Sequence, residues 1–169
     1  MRKLIVIAED TERPLIEKYL PREITEGREV LVSGVGILNV MHALRDLPLD
    51  TDIINIGYAG SANFEVGRVA IVTESRLNHP NVTFKEPTFK LMSERVQVIS
   101  EKDPIYAPCY TNCDFVLEST YTDCLFDMEL AAIMGLGFTK VSAVKLVSDN
   151  LSFHDYRKES ADKVITLND

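Results

Sequence analysis

The sequence predicts an α/β fold: a single domain with a central mixed, twisted β-sheet flanked by helices. Three observations predict it. Leu4 to Ala8 and Ile53 to Ile56 are short, mostly apolar runs rich in β-branched residues, the pattern of strands covered on both faces. Segments with helical start and stop signals alternate with such runs. The 169 residues, 46% hydrophobic and 26% charged, suit one core and contain no repeat, linker or low-complexity tract. Residues 1–169 are therefore read as one domain.

The elements follow in order. Leu4 to Ala8 is the first strand. A helix runs from Thr11 to Leu20, with Thr11 as N-cap, Pro14 in the first turn and Pro21 just past the end. Glu29 to Ser33 is the second strand and leads into Gly34-Val35-Gly36. Asn39 to Leu47 is an amphipathic helix with Val40, Ala43, Leu44 and Leu47 on one side. Asp52 to Ile56 is the third strand, ending at Gly57-Tyr58-Ala59-Gly60, and Arg68 to Glu74 is the fourth. Asn78 to Thr88, polar and carrying Pro80 and Pro87, reads as a loop. Arg95 to Ser100 and Asp114 to Glu118 are strand candidates. Phe126 ends a short strand before a helix from about Met128 to Met134, closed by Gly135 and Gly137. Lys140 to Val147 is the last strand and Tyr156 to Ile165 a terminal helix.

Composition excludes several classes of function. The formal net charge is −8 and no run of Lys and Arg exists to neutralise phosphates, so nucleic acid is not an expected partner. No apolar run approaches the length of a membrane span. Met1-Arg2-Lys3 resembles a signal n-region, but Glu9, Asp10 and Glu12 break the apolar stretch, and the cytoplasm is the expected compartment. Cys109, Cys113 and Cys124 are odd in number and wrongly spaced for a CxxC pair, so free thiols are expected, with no metal or cofactor.

Ligands of open α/β sheets bind where strands end at their carboxyl side. Glu9, Asp10 and Glu12 follow the first strand, the two glycines of Gly34-Val35-Gly36 the second, Gly57 to Gly60 the third and Ser148-Asp149 the last. Phe126-Asp127-Met128-Glu129 adds acids beside another buried segment, with Glu129 near amides that begin a helix. Carboxylates tied to core elements suit a site that grips hydroxyls or moves protons. Each also has an ordinary reading. Glu12 by itself is a first-turn helix acid, Asp149 an N-cap, Glu129 an ion-pair partner, and the glycines a tight turn. His42 sits on an exposed helix position, and His154 has no recognisable partner. A small-molecule site follows from these residues, but no reaction.

With these residues laid out, the chain resembles the nucleoside phosphorylase and nucleosidase superfamily, above all the methylthioadenosine/S-adenosylhomocysteine nucleosidases. Ser33-Gly34-Val35-Gly36-Ile37 through Ala43-Leu44 is similar to the family's G[IV]GxxxAA element, and Ile53 to Gly60 to its INxGxAGG strand and turn. Val66-Gly67-Arg68-Val69 resembles VGDVV, and His79 falls near a family histidine. Phe126 to Glu129 resembles VEMEG, and Val144 to Asp149 resembles RxISD. The resemblance implies cleavage of a purine N-ribosyl bond. Asp149 would give the leaving base its proton, acting as an acid that burial keeps protonated. Glu129 would hold the ribose hydroxyls, with Met128 packed on the sugar, and Glu12 would position the attacking water, Glu9 being the weaker candidate. Phe115 and Val116 would hold the purine, and Tyr58, Ala59, Gly60 and Ser148 would complete the substrate-binding residues.

The resemblance also separates hydrolysis from phosphorolysis. Phosphorylases of the superfamily carry an arginine and a serine where this chain has Asn55 and Tyr58. Asparagine is the hydrolase pattern. A phosphorylase and a nucleoside-binding paralogue without turnover remain the alternatives. Departures are Tyr58 where a small residue is usual, Arg68 for the acid of VGD, Lys145 for the arginine of RxISD and Ser61 for the last glycine of AGG. A homodimer or larger homo-oligomer is implied as well.

Overall fold

The computed structural model describes residues 1–78, 87–152 and 156. Strand β1 (Lys3–Ile7) leads through a 3₁₀ turn (Asp10–Glu12) to helices α1 (Arg13–Tyr19) and α2 (Arg22–Thr25) and strand β2 (Glu29–Val32). Helix α3 (Ile37–Leu44) precedes the long strand β3 (Asp52–Gly60), β4 (Val69–Leu77), the short β5 (Phe89–Lys90) and a 3₁₀ turn at Ser93–Arg95. Strands β6 (Ile105–Thr111) and β7 (Leu125–Asp127), helix α4 (Leu130–Gly135) and strand β8 (Lys140–Asp149) follow. The sheet is mixed, as the sequence predicts.

Its connectivity was not legible. Strand β3 pairs with β8, β8 with β4, β4 with β6, β6 with β7, and β7 returns to β3 through the pair Gly60–Phe126. Five strands thus close on themselves. Strands β1 and β2 extend the sheet from the first half of β3, where Lys3 to Val6 lie beside Asp52 to Asn55. One edge of β3 is therefore shared between β1 at its start and β7 at its end, which is why it outruns the predicted Asp52 to Ile56.

The double burial of the apolar runs has a simple cause. Alternate residues point to opposite faces: Leu4, Val6 and Ile53 join a cluster with Val40, Leu44, Leu130 and Ile133 of α3 and α4. Ile5, Ile7, Ile54 and Ile56 join Leu15, Ile16 and Leu20 on and beside α1. Fully burying each such side chain contributes about 1.5–3 kcal/mol, which sets strand register more firmly than backbone pairing alone.

Three expectations are corrected. Helix α3 begins at Ile37, directly after Gly36, rather than at Asn39. Arg95 to Ser100 holds a 3₁₀ turn and irregular chain because the Arg95 guanidinium is drawn to Asp52. Asp114 to Glu118 is irregular chain too. The strand in that region is β6, hidden in the sequence by Pro108, which cannot donate to a ladder. Pro108 is accommodated where the β4–β6 register shifts, between the pairs Val72–Ala107 and Ser75–Cys109. His79, His154 and the predicted terminal helix apart from Tyr156 lie outside the described residues.

At the end of the sheet where β1, β3 and β8 begin, Asp52 binds two arginines. Arg28 Nη1 lies 2.9 Å from Oδ1, and Arg95 donates from Nη1 to Oδ2 at 2.9 Å and from Nη2 to Oδ1 at 3.0 Å. Arg95 Nε also reaches Ser142 Oγ at 2.8 Å, fastening β8 to β3. Burial raises the Asp52 pKa, but the two guanidinium groups outweigh it and hold the carboxyl below its ordinary value. A depressed acid stabilises the fold above its unfolded pKa of about 3.9 and loses that contribution as pH falls through the folded value. Asp52→Asn should cost about 2 kcal/mol at pH 7, and the gap to wild type should narrow below about pH 4. Urea midpoints at pH 7, 5 and 3.5 measure it; a constant gap would contradict the ion-pair account.

Candidate active site

The site grows from places where strand pairing stops. Beyond Val6 and Asn55, β1 and β3 part and leave backbone amides without ladder partners. Glu12 fills the gap: Oε1 accepts from the N–H of Ala8 at 2.7 Å and of Glu9 at 3.2 Å, and Oε2 accepts from the N–H of Tyr58 at 2.9 Å. Orphan amides in such a position have to be satisfied. A β-carbon on Gly57 would run into Glu12 Oε2, so the glycine makes room for the acid. Burial raises the Glu12 pKa, opposed by the Lys145 charge and the three amides.

Gly60 does the same for Asp149, whose Oδ1 would lie 2.8 Å from a β-carbon there. The β3–β8 register shifts between Ala59 and Gly60, leaving Ser148 as the extra residue and re-aiming Asp149. Asp149 is buried. Its Oδ2 accepts from Ser148 Oγ at 2.8 Å and its Oδ1 from the Leu151 N–H at 2.9 Å. Leu151 has φ 66°, a conformation costly for a bulky residue and typical of functional sites.

Glu129 takes the N-cap position of α4 but leaves capping to others. Asp127 Oδ2 accepts from the Leu130 N–H at 2.8 Å, and Thr111 Oγ1 accepts from the Ala131 N–H at 2.9 Å. The Glu129 carboxylate instead accepts from the Gly36 N–H at 2.8 Å, where φ is +91°. Glycine adopts that angle without strain. Glu129 thus stands at the start of its helix, as expected, while its carboxylate bonds the Gly36 amide rather than those of α4. Burial, then the negative charge of Asp127 and more weakly of Glu12, pushes its pKa up to about 7, against Lys145 and the Gly36 amide.

Lys145 lies in the middle of β8 with its side chain 1% exposed, and its Nζ is 3.1 Å from Asp127 Oδ2. Thr111 Oγ1 donates to Asp127 Oδ1 at 2.5 Å. Burial by itself would lower the Lys145 pKa, but Asp127 foremost, with Glu129 and Glu12, raises it, so the ammonium stays charged. Sequence reasoning named Asp127 and Lys145 separately and missed that they form a buried ion pair. The signal was present: a lysine inside Ala143-Val144-Lys145-Leu146-Val147 needs a buried acid.

A cleft of about 230 Å³ lies at this rim. Phe115, Val116, Phe126, Met128 and Leu151 give it apolar walls, and Gly60, Asp114, Asp127 and Asp149 complete it. Five of the predicted site residues, Asp149, Met128, Phe115, Val116 and Gly60, thus meet on one cavity. Glu12, Glu129, Tyr58, Ala59 and Ser148 lie beside it rather than on its lining. Tyr58 packs with the α1-side cluster, and Ser148 spends its hydroxyl on Asp149. Phe115 and Val116 reach the cleft from irregular chain, not from the predicted strand. Cys109, Cys113 and Cys124 are free. Among the described residues no His, Cys, Asp and Glu cluster has the makings of a metal site. No helix there is long and apolar enough to cross a membrane.

A domain with this closed mixed sheet and this acid-lined rim has the nucleoside phosphorylase-like architecture. Among solved structures it is similar to 5′-methylthioadenosine/S-adenosylhomocysteine nucleosidases. That of Colwellia psychrerythraea, solved with adenine, has a TM-score of 0.70 at 18% identity, over 95% of this chain and 89% of the other. The Neisseria meningitidis enzyme, solved with methylthio-immucillin-A, has 0.70 at 19%, over 95% and 94%. The Chlamydia trachomatis enzyme bound to MTA has 0.68 at 20%, over 96% and 89%. At these identities the likeness establishes the fold. No family model and no curated sequence matches the chain.

Lys145→Met keeps the volume of the side chain but strands Asp127 without its cation. It should destabilise the protein by about 3–5 kcal/mol, and adding Asp127→Asn should recover part of that loss. Urea unfolding of the single and double variants decides it; a cost below about 1 kcal/mol would remove the pair from its central place.

Proposed function

We propose that this chain is an N-ribosyl hydrolase of purine nucleosides, of the 5′-methylthioadenosine or S-adenosylhomocysteine type. One observation carries the reading: buried Asp149 lines the same apolar cleft as Phe115, Val116 and Met128, while the adjoining acids Glu12 and Glu129 are held by backbone amides. That arrangement suits a flat base in the cleft with its sugar toward the two glutamates. The solved structures that share the fold include complexes with adenine and MTA, which supports the choice of ligand.

In this mechanism the purine lies between Phe115 and Val116, and Asp149 delivers a proton to the base nitrogen facing it as the glycosidic bond breaks. Electrons of that bond leave with the base, and the sugar becomes a ribosyl cation. Ser148, already bonded to Asp149, orients the acid. Glu129 accepts hydrogen bonds from the ribose hydroxyls, a contact strongest when it is ionised. Glu12 directs water to the anomeric carbon and takes up its proton. Asn55, in the place of the phosphorylase arginine, donates to the Val6 carbonyl at 3.0 Å and offers no charge to phosphate, which favours water as nucleophile. We read the chain as a homodimer or larger assembly. Val35, Leu38 and Met41 are exposed on and beside α3, next to the Gly36 that holds Glu129, and support that reading.

The direct test is incubation with a nucleoside panel, with and without phosphate, followed by chromatography of free base. Base release independent of phosphate is expected, and release that requires phosphate would replace hydrolysis by phosphorolysis. Asp149→Asn should lower kcat by about a hundred-fold or more with the fold intact; full activity would remove the acid assignment.

Ionisation of Glu129 sets the pH response of binding. With a pKa of about 7 it is largely protonated at pH 6 and largely ionised at pH 8. The carboxylate accepts from the hydroxyls more strongly than the acid, in which one oxygen has become a donor. KM for a ribonucleoside should therefore fall as pH rises across this interval, whereas for a 2′,3′-dideoxynucleoside it should not. Parallel pH profiles for the two substrates would separate Glu129 from the sugar.

A further inference from the structure

We propose that the end of the sheet opposite the cleft carries a second ligand site, a cavity that takes a small zwitterion: an α-amino acid with a short branched apolar side chain. The site is independent of the reaction assigned above and shares no lining residue with the cleft.

The cavity, of about 160 Å³, is lined from the starts of β1 and β3, from α2 and from the chain at Arg95 and Val96. An apolar cavity of roughly 150 Å³ accepts benzene, so a side chain of a few carbons has room here. Its apolar wall is Ile54 and Val96, both buried, with Ile24 of α2. Its cations are Lys3, Arg28 and Arg95. The two arginines share the single carboxylate of Asp52, so that cluster keeps one positive charge uncompensated. Among the described residues Arg28 bonds from Nε and Nη1 alone, which leaves the two N–H groups of Nη2 for a carboxylate. Those same bonds already fix the guanidinium, which lowers the ordering cost of gripping an anion.

Acids line the same cavity. Glu23 and Glu26 stand three residues apart at α2, a spacing that puts them on one side of the helix. Among the described residues neither is in an ion pair, and nor is Lys3. Charges of both signs that surround one space without neutralising each other match a ligand that carries both. A lone anion would meet the two acids, and a lone cation the lysine and arginines. An α-amino acid sets its carboxylate on Arg28 and Lys3, its ammonium on Glu23 and Glu26, and its side chain on the apolar wall.

Calorimetric titration of the full chain with L-valine, valinamide and isovalerate tests the inference, with amide NMR shifts to place the ligand. Valine should bind with a Kd of about 1 mM or tighter. Each analogue lacks one of its charges and should bind about ten-fold more weakly. The valine shifts should fall at Ile24, Arg28, Ile54 and Val96 rather than at Gly60 and Met128 of the cleft. Glu23→Gln combined with Glu26→Gln changes two exposed positions with little cost to the fold. It should weaken valine about ten-fold and leave isovalerate binding no weaker. Valine that fails to saturate by about 20 mM, or that shifts the cleft residues instead, would overturn the inference and leave the proposed function standing. Equal affinity for valine and isovalerate, or a double variant that binds valine like wild type, would also overturn it, since the acids would then play no part.

Discussion

The buried pair of Lys145 and Asp127 is the interaction on which the site depends. An ammonium and a carboxylate removed from water cost several kcal/mol each unless paired closely and bonded further. Here the 3.1 Å contact is joined by Thr111 and by the first amide of α4. It ties β8 to β7 across the closed sheet and draws in β6 through Thr111. Because Asp127 caps α4, Glu129 is free to turn toward Gly36. The same ammonium offsets the negative field of Glu12 and Glu129, without which three acids gathered so near would tend to be neutral.

The rest of the site follows from interruptions of the sheet. Regular ladders consume every backbone amide, so a ligand site at strand ends needs places where they part or slip. Glu12 occupies the parting of β1 and β3, and Asp149 follows the slip between β3 and β8. Both acids approach β3 at a glycine, because any side chain on that edge would push the carboxylate away. Gly60 also joins Phe126 on one side and Asp149 on the other, so the two acid-bearing strands meet through a single residue.

Much of this was legible in the residues. Runs such as Leu4 to Ala8 announced strands covered on both faces, and acids standing just after them announced a polar rim. Pro108 concealed β6, since a proline within a strand can be tolerated only where register slips, and the slip is a property of two strands together. Phe115 and Val116, read as part of a strand, line the cleft from irregular chain instead. The packing of Tyr156 on Tyr58 and Phe115 carried no signal, because those partners are distant along the chain.

The sequence by itself determined the α/β class, most of the core, and which acids flank the strand ends. Periodicity and burial act over a few residues, and local physics is enough to read them. Only the tertiary structure decided that the sheet closes, that Lys145 answers Asp127, and that the glycines of β3 make room for carboxylates. Those outcomes depend on pairings between distant segments, whose register is set by packing across the whole core.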